Sequence, residues 1–246
     1  PFVLFLDGDT ILHPDFVTVA LREFNDPKVA VVWGHRRELY PEASIYNRVL
    51  DLDWIFRPGF TEHCGGDALI RRSVIEEVGG FNATIIAGEE PEMCSRIRKK
   101  GYLILHIDFP MTKHDLAMKC WDQYWRRAVR SGYGYAEIVD RFGRDVESSW
   151  RANVRRNFIH AISLIILVLI GLISSVSIQS FYPMFIALVL FALIVFRTMV
   201  RSQWKSKNKI ILLLYAIHSH FQKIPILVGY IRYYLGKLQY NRIETN

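Results

Sequence analysis

The chain has 246 residues, 51% of them hydrophobic, and a formal net charge of +7. Residues up to Trp150 carry 19 Lys and Arg against 23 Asp and Glu, whereas those from Arg151 onward carry 12 against 1. The basic residues of the second part alternate with long apolar runs rather than with a recognition helix or an aromatic platform. This pattern argues against a nucleic acid partner and favours an anionic membrane surface.

Three cysteines, Cys64, Cys94 and Cys120, are odd in number and have no CxxC spacing. Their spacing therefore predicts neither a disulfide framework nor a zinc site. A reducing, cytosolic environment fits them best.

Residues 1–145 alternate short apolar runs with amphipathic stretches, which predicts an α/β fold. The predicted strands cover 2–6, 29–35 and 102–107, and the predicted helices cover 14–25, 71–78 and 91–100. The first strand is apolar throughout, and neither an initiator Met nor a signal peptide precedes it. Since such a strand needs neighbours on both sides, we expect further structure before Pro1.

Residues 146–246 are predicted to form a membrane region. The uncharged stretch 158–178 has about the 20 residues that a helix needs to cross the hydrocarbon core. A second stretch, 181–200, can cross the membrane if the Arg197 side chain extends toward the membrane interface. A third stretch, 210–235, is predicted to be an interfacial or third helix. The alternative is a buried helical hairpin of a soluble protein.

Basic residues flank the two spans, and the link between them is uncharged. The positive-inside rule therefore places both ends, and the acidic domain with them, in the cytoplasm of a multi-pass protein of the plasma (inner) membrane. The flanking basic residues are Arg155, Arg156, Arg201, Lys205, Lys207 and Lys209.

Asp7 and Asp9 directly follow the first predicted strand, at the carboxyl end where open α/β sheets bind ligands. Two carboxylates one residue apart suit Mg²⁺ or Mn²⁺, and such a cation can neutralise a diphosphate. Gly8 between them leaves room for a substrate. An acidic turn without a ligand is the more common meaning of a lone triplet, so the neighbouring motifs decide.

Glu89 and Glu90 precede the helix predicted from Pro91, with Glu90 at its N-cap. A carboxylate at such a junction can act as a general base toward an attacking hydroxyl. The helix N-terminus stabilises the anion and weakens the base, so a desolvated pocket must offset it. A plain acidic helix cap is the alternative.

Two further segments are candidates. Gly65 and Gly66, followed by Asp67, indicate backbone that approaches a ligand closely. His114 lies beyond the strand 102–107, where a neutral imidazole can complete a metal site. In isolation, each segment is more typical of an ordinary turn or surface loop.

In this order and spacing, the motifs resemble glycosyltransferase family 2, a family of inverting enzymes with the GT-A fold. The resemblance covers roughly residues 1–135 and rests on FVLFLDGDT, CGGDALIRRSVIEEVGGF and AGEEPEMCSRIRKKGY. It implies a partial GT-A (Rossmann-like) domain at 1–145. It also implies a nucleotide-diphosphate sugar donor and a lipid-linked or saccharide acceptor.

The resemblance also implies roles for single residues. Asp7 should contact the nucleotide, Asp9 should hold the metal, and Glu90 should be the catalytic base with Glu89 in support. The candidate set is catalytic Glu89 and Glu90; donor-binding Asp7, Gly8, Asp9, Arg126 and Arg127; acceptor-binding Gly65, Gly66 and Asp67; and metal-binding Asp7, Asp9 and His114.

The chain departs from the family pattern at three places. The family usually has Asp where Glu90 stands and often Asn where Asp67 stands. Processive members, such as cellulose and hyaluronan synthases, carry QxxRW, whereas Gln123–Arg127 reads QYWRR and is predicted as part of an interfacial amphipathic helix. Arg126 or Arg127 still suits a diphosphate, because a planar guanidinium matches phosphate geometry.

Three hypotheses remain at this stage. The first is a metal-dependent inverting transferase, the second an inactive membrane scaffold of the same fold, and the third a processive polysaccharide synthase. The family's nucleotide-binding β/α unit lies upstream of the DxD triplet, so the residues that read the base are expected before Pro1.

Overall fold

The computed structural model describes residues 2–85, 88–142 and 148–244. The chain divides into two compact units. The first holds the described residues up to Cys120 together with Arg141 and Phe142, and it carries the sheet. The second holds Trp121–Asp140 and the described residues from 148 onward, and it is helical.

Within the described residues, the first unit is built on a mixed six-stranded sheet. The strand order is β1-β5-β3-β6-β2, and β4 pairs with β6. β3 and β6 run parallel, whereas the other pairs are antiparallel. The strands are β1 (Phe2–Phe5), β2 (Thr10–Leu12), β3 (Val29–Glu38), β4 (Gly59–Thr61), β5 (Ala68–Arg71) and β6 (Leu103–His114).

Among its described residues, the first unit has four α-helices. They are α1 (Phe16–Arg22), α2 (Ile45–Asp51), α3 (Arg72–Val78) and α4 (Glu89–Lys99). α1, α3 and α4 contribute side chains to one apolar core with the sheet. Residues 29–33 of β3 are all buried, as expected for an apolar run covered on both faces. Met93 and Ile97, four residues apart on α4, contribute one face of that helix to the core.

Two of the boundaries that differ from the prediction affect the position of candidate site residues. β6 continues seven residues past 107, so His114 is its last residue rather than part of a loop. The extension has partners on both sides, because His114 is in register with Thr10 of β2 and Glu38 of β3. α4 begins at Glu89 rather than at Pro91, after Gly88 in the left-handed conformation.

The second unit contains α5 (Trp121–Phe142, as far as Asp140), α6 (Ser148–Ser177), α7 (Tyr182–Arg201), α8 (Lys209–Phe221) and α9 (Lys223–Glu244). Three helical stretches of the described chain are long and apolar enough to cross a membrane: Trp150–Ser177, Tyr182–Arg201 and Lys209–Gln239. Many of their apolar side chains point outward, which is typical of helices that face lipid.

Polar side chains link these helices to one another. His220 on α8 lies 2.9 Å from His160 on α6 and 2.9 Å from the Thr198 hydroxyl on α7. Tyr124 on α5 lies 2.8 Å from His218 on α8. Hydrogen bonds of this kind between helices add specific contacts where apolar packing alone gives little orientation.

β3 and β6 approach each other most closely at Gly34. A Cβ at this position would lie 2.5 Å from the Phe109 carbonyl oxygen and 2.9 Å from Met111 Cβ. The Gly34 N–H also points to Met111 Sδ at 3.3 Å. A side chain here would therefore push apart the two parallel strands whose ends carry the site described below.

We expect Gly34→Ala to destabilise the first unit by about 1–3 kcal/mol, the usual cost of overpacking a core. Gly8→Ala is the matched control, because a Cβ at Gly8 meets no atom within 4 Å. Thermal unfolding of the detergent-solubilised protein compares the two. Equal melting temperatures would contradict the close approach.

Candidate active site

One buried carboxylate joins the ends of the strands. Asp67, directly before β5, is 2% exposed. Its Oδ1 accepts the Asp7 N–H at 2.8 Å, and its Oδ2 accepts the Thr112 hydroxyl of β6 at 2.6 Å. Arg36 Nη1 of β3 lies 3.8 Å from the same Oδ2. Asp67 therefore fixes the segment after β1 against β3 and β6.

Arg36 is the second organising side chain. Its Nη2 donates to Asp7 Oδ2 at 2.8 Å, and its Nη1 donates to the Gly65 carbonyl at 3.2 Å. The guanidinium also lies over the Trp54 ring, 4.9 Å from its centroid. Gly66 has a φ of +63°, and a Cβ there would lie 3.1 Å from Asp7 Oδ2. Only glycine fits this position without strain.

Asp7, Asp9 and His114 form a cluster at the carboxyl end of β1. His114 Nε2 lies 3.1 Å from Asp9 Oδ1, and one potential ligand atom from each of the three residues lies within 4.8 Å of the others. The two carboxylates are exposed and the imidazole is buried. Two carboxylates and one imidazole, open to solvent on one side, fit a hard divalent cation.

Glu38 holds the segment that follows His114. Its carboxylate accepts the Leu116 N–H at 3.1 Å, the Tyr40 N–H at 3.0 Å and the Asn47 side-chain amide at 3.1 Å. Burial raises the pKa of Glu38, and the two backbone hydrogen bonds oppose that rise. The end of β6, and with it His114, is therefore anchored by a buried acceptor.

The early start of α4 places Glu90 in the first helical turn rather than at the N-cap. Gly88, with a φ of 93°, is the N-cap. Pro91 is tolerated inside the first turn, because its missing N–H would have no partner within the helix. Glu89 is exposed and Glu90 is half-buried.

Burial, followed by the neighbouring Cys94 thiol, raises the pKa of Glu90 well above its ordinary value. Hydrogen bonds from the Cys64 thiol and the Gly66 N–H oppose the rise without cancelling it. A base that works near neutral pH needs a raised pKa of this kind. Gly66 therefore contacts Glu90 on one side and Asp7 on the other.

The structure thus brings most of the predicted site residues together around the loop Gly65–Asp67. Gly8 lies exposed beside them. Arg126 and Arg127 lie on α5 in the second unit, where Arg126 pairs with Asp122. Their role toward a diphosphate stays a prediction.

Sequence reasoning missed Arg36, Thr112 and the position of Cys64 and Cys94 beside Glu90. The sequence contains one indication of a role for Arg36: two arginines end an apolar strand at the edge of the sheet where α/β folds bind ligands. It contains none for Thr112, since Thr112 lies 45 residues from its partner Asp67.

The fold is that of a GT-A type transferase. The family model for "glycosyl transferase family group 2" matches residues 2–199, most of the chain. The chain belongs to this family. The predicted family is therefore confirmed, and so is the predicted fold class, an α/β domain of GT-A type followed by a helical region.

Two bacterial relatives carry glycosyltransferase names. The pre-mycofactocin glycosyltransferase of Mycobacterium tuberculosis, in strains CDC 1551 and H37Rv, is 28% identical over 142 residues, which cover 53% of this chain and 30% of the relative. The probable glycosyltransferase YdaM of Bacillus subtilis strain 168 is 26% identical over 129 residues, 48% of this chain and 30% of the relative. The chain's match thus spans 30% of the length of these relatives.

One similar solved structure is the mannosyltransferase PcManGT from Pyrobaculum calidifontis in complex with GDP-Man and Mn²⁺. It superposes with a TM-score of 0.52 at 16% identity, covering 96% of this chain and 63% of the mannosyltransferase. At this identity, the likeness concerns the fold.

The bonding of Asp67 predicts different outcomes for two substitutions. Asp67→Asn keeps a side-chain oxygen that can accept the Asp7 N–H. Its amide nitrogen faces the Thr112 hydroxyl, whose oxygen can accept a hydrogen bond from it. Asp67→Ala leaves the Asp7 N–H and the Thr112 hydroxyl without this acceptor and removes a buried charge near Arg36, so we expect it to cost about 3 kcal/mol or more. Unfolding in detergent measures both variants, and an equal loss in the two would contradict the hydrogen-bonding role.

Proposed function

We propose that this protein is a glycosyltransferase that transfers a sugar from a nucleotide-diphosphate sugar to a hydroxyl of a lipid-linked or saccharide acceptor, with inversion. The observation that carries the proposal is one loop, Gly65–Asp67, with an exposed carboxylate cluster on one side and the half-buried Glu90 carboxylate, whose pKa is raised, on the other. Family membership and the names of the relatives support it.

Asp9 and His114, together with Asp7, are the residues that would hold Mg²⁺ or Mn²⁺. A divalent cation at this position supplies positive charge to the departing diphosphate. Because Arg36 holds one oxygen of Asp7, Asp7 is oriented to contact the nucleotide as well. The Mn²⁺ and GDP-Man in the complex of the structural relative support a cation and a nucleotide sugar here.

Glu90 is the proposed base. Its carboxylate takes the proton of the acceptor hydroxyl as that oxygen bonds to the anomeric carbon, and the bond from this carbon to the diphosphate oxygen breaks with both electrons going to the diphosphate. A single in-line displacement of this kind inverts the anomeric carbon. Burial raises the pKa of Glu90, as a base that works near neutral pH requires.

Gly65 and Gly66 are proposed to line the acceptor position, because a glycine has no side chain that would keep an acceptor away from the backbone. Asp67, the last residue of this loop, is proposed to hold the loop in place through its hydrogen bonds with Asp7 and Thr112. Glu89, at the first position of α4, supports Glu90, and Arg126 and Arg127 are proposed to contact the diphosphate.

We propose that the helical region 146–246 anchors the enzyme in the plasma (inner) membrane, with the catalytic domain 1–145 in the cytoplasm. Three helical stretches with enough length and apolarity support this anchoring. The basic residues around the first two favour anionic headgroups on the cytoplasmic side. An enzyme held in this way suits an acceptor on a lipid carrier or a growing polysaccharide.

Two variants separate donor binding from chemistry. We expect Asp9→Ala to remove Mn²⁺-dependent donor binding. We expect Glu90→Gln to keep donor binding and to lower transfer by about 10²–10⁴-fold, the usual contribution of a general base. Calorimetry with a panel of nucleotide sugars measures the first effect, and transfer of labelled sugar to membrane acceptors measures the second.

Glu76→Gln is the matched control, since Glu76 is an exposed carboxylate on α3 that pairs with Arg72 in a surface contact. It should change neither binding nor transfer. Transfer at the wild-type rate by Asp9→Ala or Glu90→Gln would overturn the assignments. A full-length protein that shows no metal-dependent donor binding would favour the scaffold hypothesis, and long polymer as product would favour the processive synthase.

The proposed topology predicts which positions a membrane-impermeant maleimide can reach in intact bacterial cells. In a Cys120→Ser background, we expect Gln179→Cys, in the link between α6 and α7, to be labelled from outside. Lys207→Cys, between α7 and α8, should be labelled only after the cells are opened. The reverse pattern would contradict the cytoplasmic placement.

A further inference from the structure

Two thiols and a carboxylate lie together beside the glycine loop. Cys64 is 1% exposed and Cys94 is 0% exposed. Their sulfur atoms are 3.6 Å apart, and Cys94 Sγ is 3.7 Å from Glu90 Oε1. A ligand atom from each of the three residues lies within 4.8 Å of the other two.

These separations match the edges of a tetrahedral zinc site. With Zn–S near 2.3 Å and Zn–O near 2.1 Å, tetrahedral angles require about 3.8 Å between two sulfurs and about 3.6 Å between a sulfur and an oxygen. The observed distances, 3.6 and 3.7 Å, differ from these values by only one or two tenths of an ångström. Two of the three edges therefore already have about the length that one shared cation requires, and the third, between Cys64 Sγ and the Glu90 carboxylate, is at most 4.8 Å.

The supporting backbone also suits a metal site. Glu90 and Cys94 are four residues apart on α4, so they point from the same helix face. Cys64 reaches them from the loop before β5, so a helix and a loop close on the same point. Ligands on rigid elements lose little freedom when a cation binds.

We infer that Cys64, Glu90 and Cys94 form a site for a thiophilic divalent cation such as Zn²⁺ or Cd²⁺, with the fourth position left to water. Thiolate ligands select such ions over Mg²⁺ and Mn²⁺. The site is therefore separate in its chemistry from Asp7, Asp9 and His114. Binding releases the thiol protons to solvent and changes no oxidation state.

The site has a consequence that rests on the proposed function. A cation bound to the Glu90 carboxylate competes with the acceptor proton for the same oxygens. Zn²⁺ therefore inhibits transfer by occupying the base, and a zinc-selective chelator in excess Mg²⁺ restores transfer.

The direct test is a Cd²⁺ titration of the detergent-solubilised full chain under reductant, followed through the ultraviolet charge-transfer band of Cd²⁺–thiolate bonds. All variants carry Cys120→Ser, which removes the exposed third thiol. We expect one Cd²⁺ per chain with the intensity of two thiolates, unaffected by excess Mg²⁺. We expect Cys64→Ser and Cys94→Ser to lower the affinity at least about 100-fold, more than the loss of an outer partner costs a metal site.

Three controls make the result specific. Asp9→Ala should retain the band, because the other cluster contributes no thiolate. Glu90→Gln keeps both thiols and should bind Cd²⁺ more weakly. Cys64→Ala and Cys94→Ala, checked by their melting temperatures, replace any serine variant that does not fold.

The outcomes separate the two proposals. No thiolate band in the Cys120→Ser protein, or a full band in either cysteine variant, would overturn the site. Unchanged affinity in Glu90→Gln would remove the carboxylate from it. If the protein transfers sugar, Zn²⁺ should inhibit the Cys120→Ser protein but not the Cys64 and Cys94 variants. Equal inhibition of all these proteins would overturn the explanation that Zn²⁺ inhibits by binding Glu90. A protein without transfer activity counts against the proposed function alone, since the Cd²⁺ titration needs no turnover.

Discussion

The buried carboxylate of Asp67 is the constraint on which the arrangement of the first unit depends. A carboxylate removed from water costs several kcal/mol unless its oxygens are bonded, and the partners that satisfy Asp67 come from separate strands. The Asp7 N–H follows β1, the Thr112 hydroxyl belongs to β6, and Arg36 belongs to β3. These strand ends must converge for the carboxylate to be buried at all. The carboxylate of Asp7 then faces outward, because its backbone is held from behind.

Arg36 and Gly66 separate two kinds of carboxylate that would otherwise repel each other in one small volume. Arg36 pairs with Asp7 and lies close to Asp67, so both are partly neutralised where they meet. Gly66 brings its backbone between Asp7 and Glu90, with no side chain to widen the gap. Asp7 and Asp9 stay hydrated, which suits a cation, whereas Glu90 is withdrawn from water among thiols, which raises its pKa and suits a proton. One loop therefore supports two chemical tasks.

Local sequence pattern was enough for the elements that carry their own signal. The continuous apolar run of β3, the face of α4 and the long apolar helices follow from burial and length. The short strands β2, β4 and β5 were not predicted, because three or four residues carry no readable period and their partners lie far along the chain. β6 runs past the predicted end at 107 and through Pro110, a residue that is uncommon inside a strand. The carboxylates of the site could be named from motifs, but Arg36 acquires its meaning only from residues that the fold brings to it.

The cysteines also show what local sequence patterns cannot predict. Spacing rules recognise metal ligands that are neighbours in the chain, and Cys64 and Cys94 are 30 residues apart. The fold places Cys94 one helical turn from Glu90 and brings Cys64 to both. The burial that gives Glu90 its basicity is thus provided in part by two polarizable thiols rather than by hydrocarbon. The ligand chemistry of the two clusters differs: the exposed oxygens of Asp7 and Asp9 suit hard ions, and the thiols beside Glu90 suit soft ions. The inferred sensitivity to zinc is then a direct result of how this chain desolvates its base.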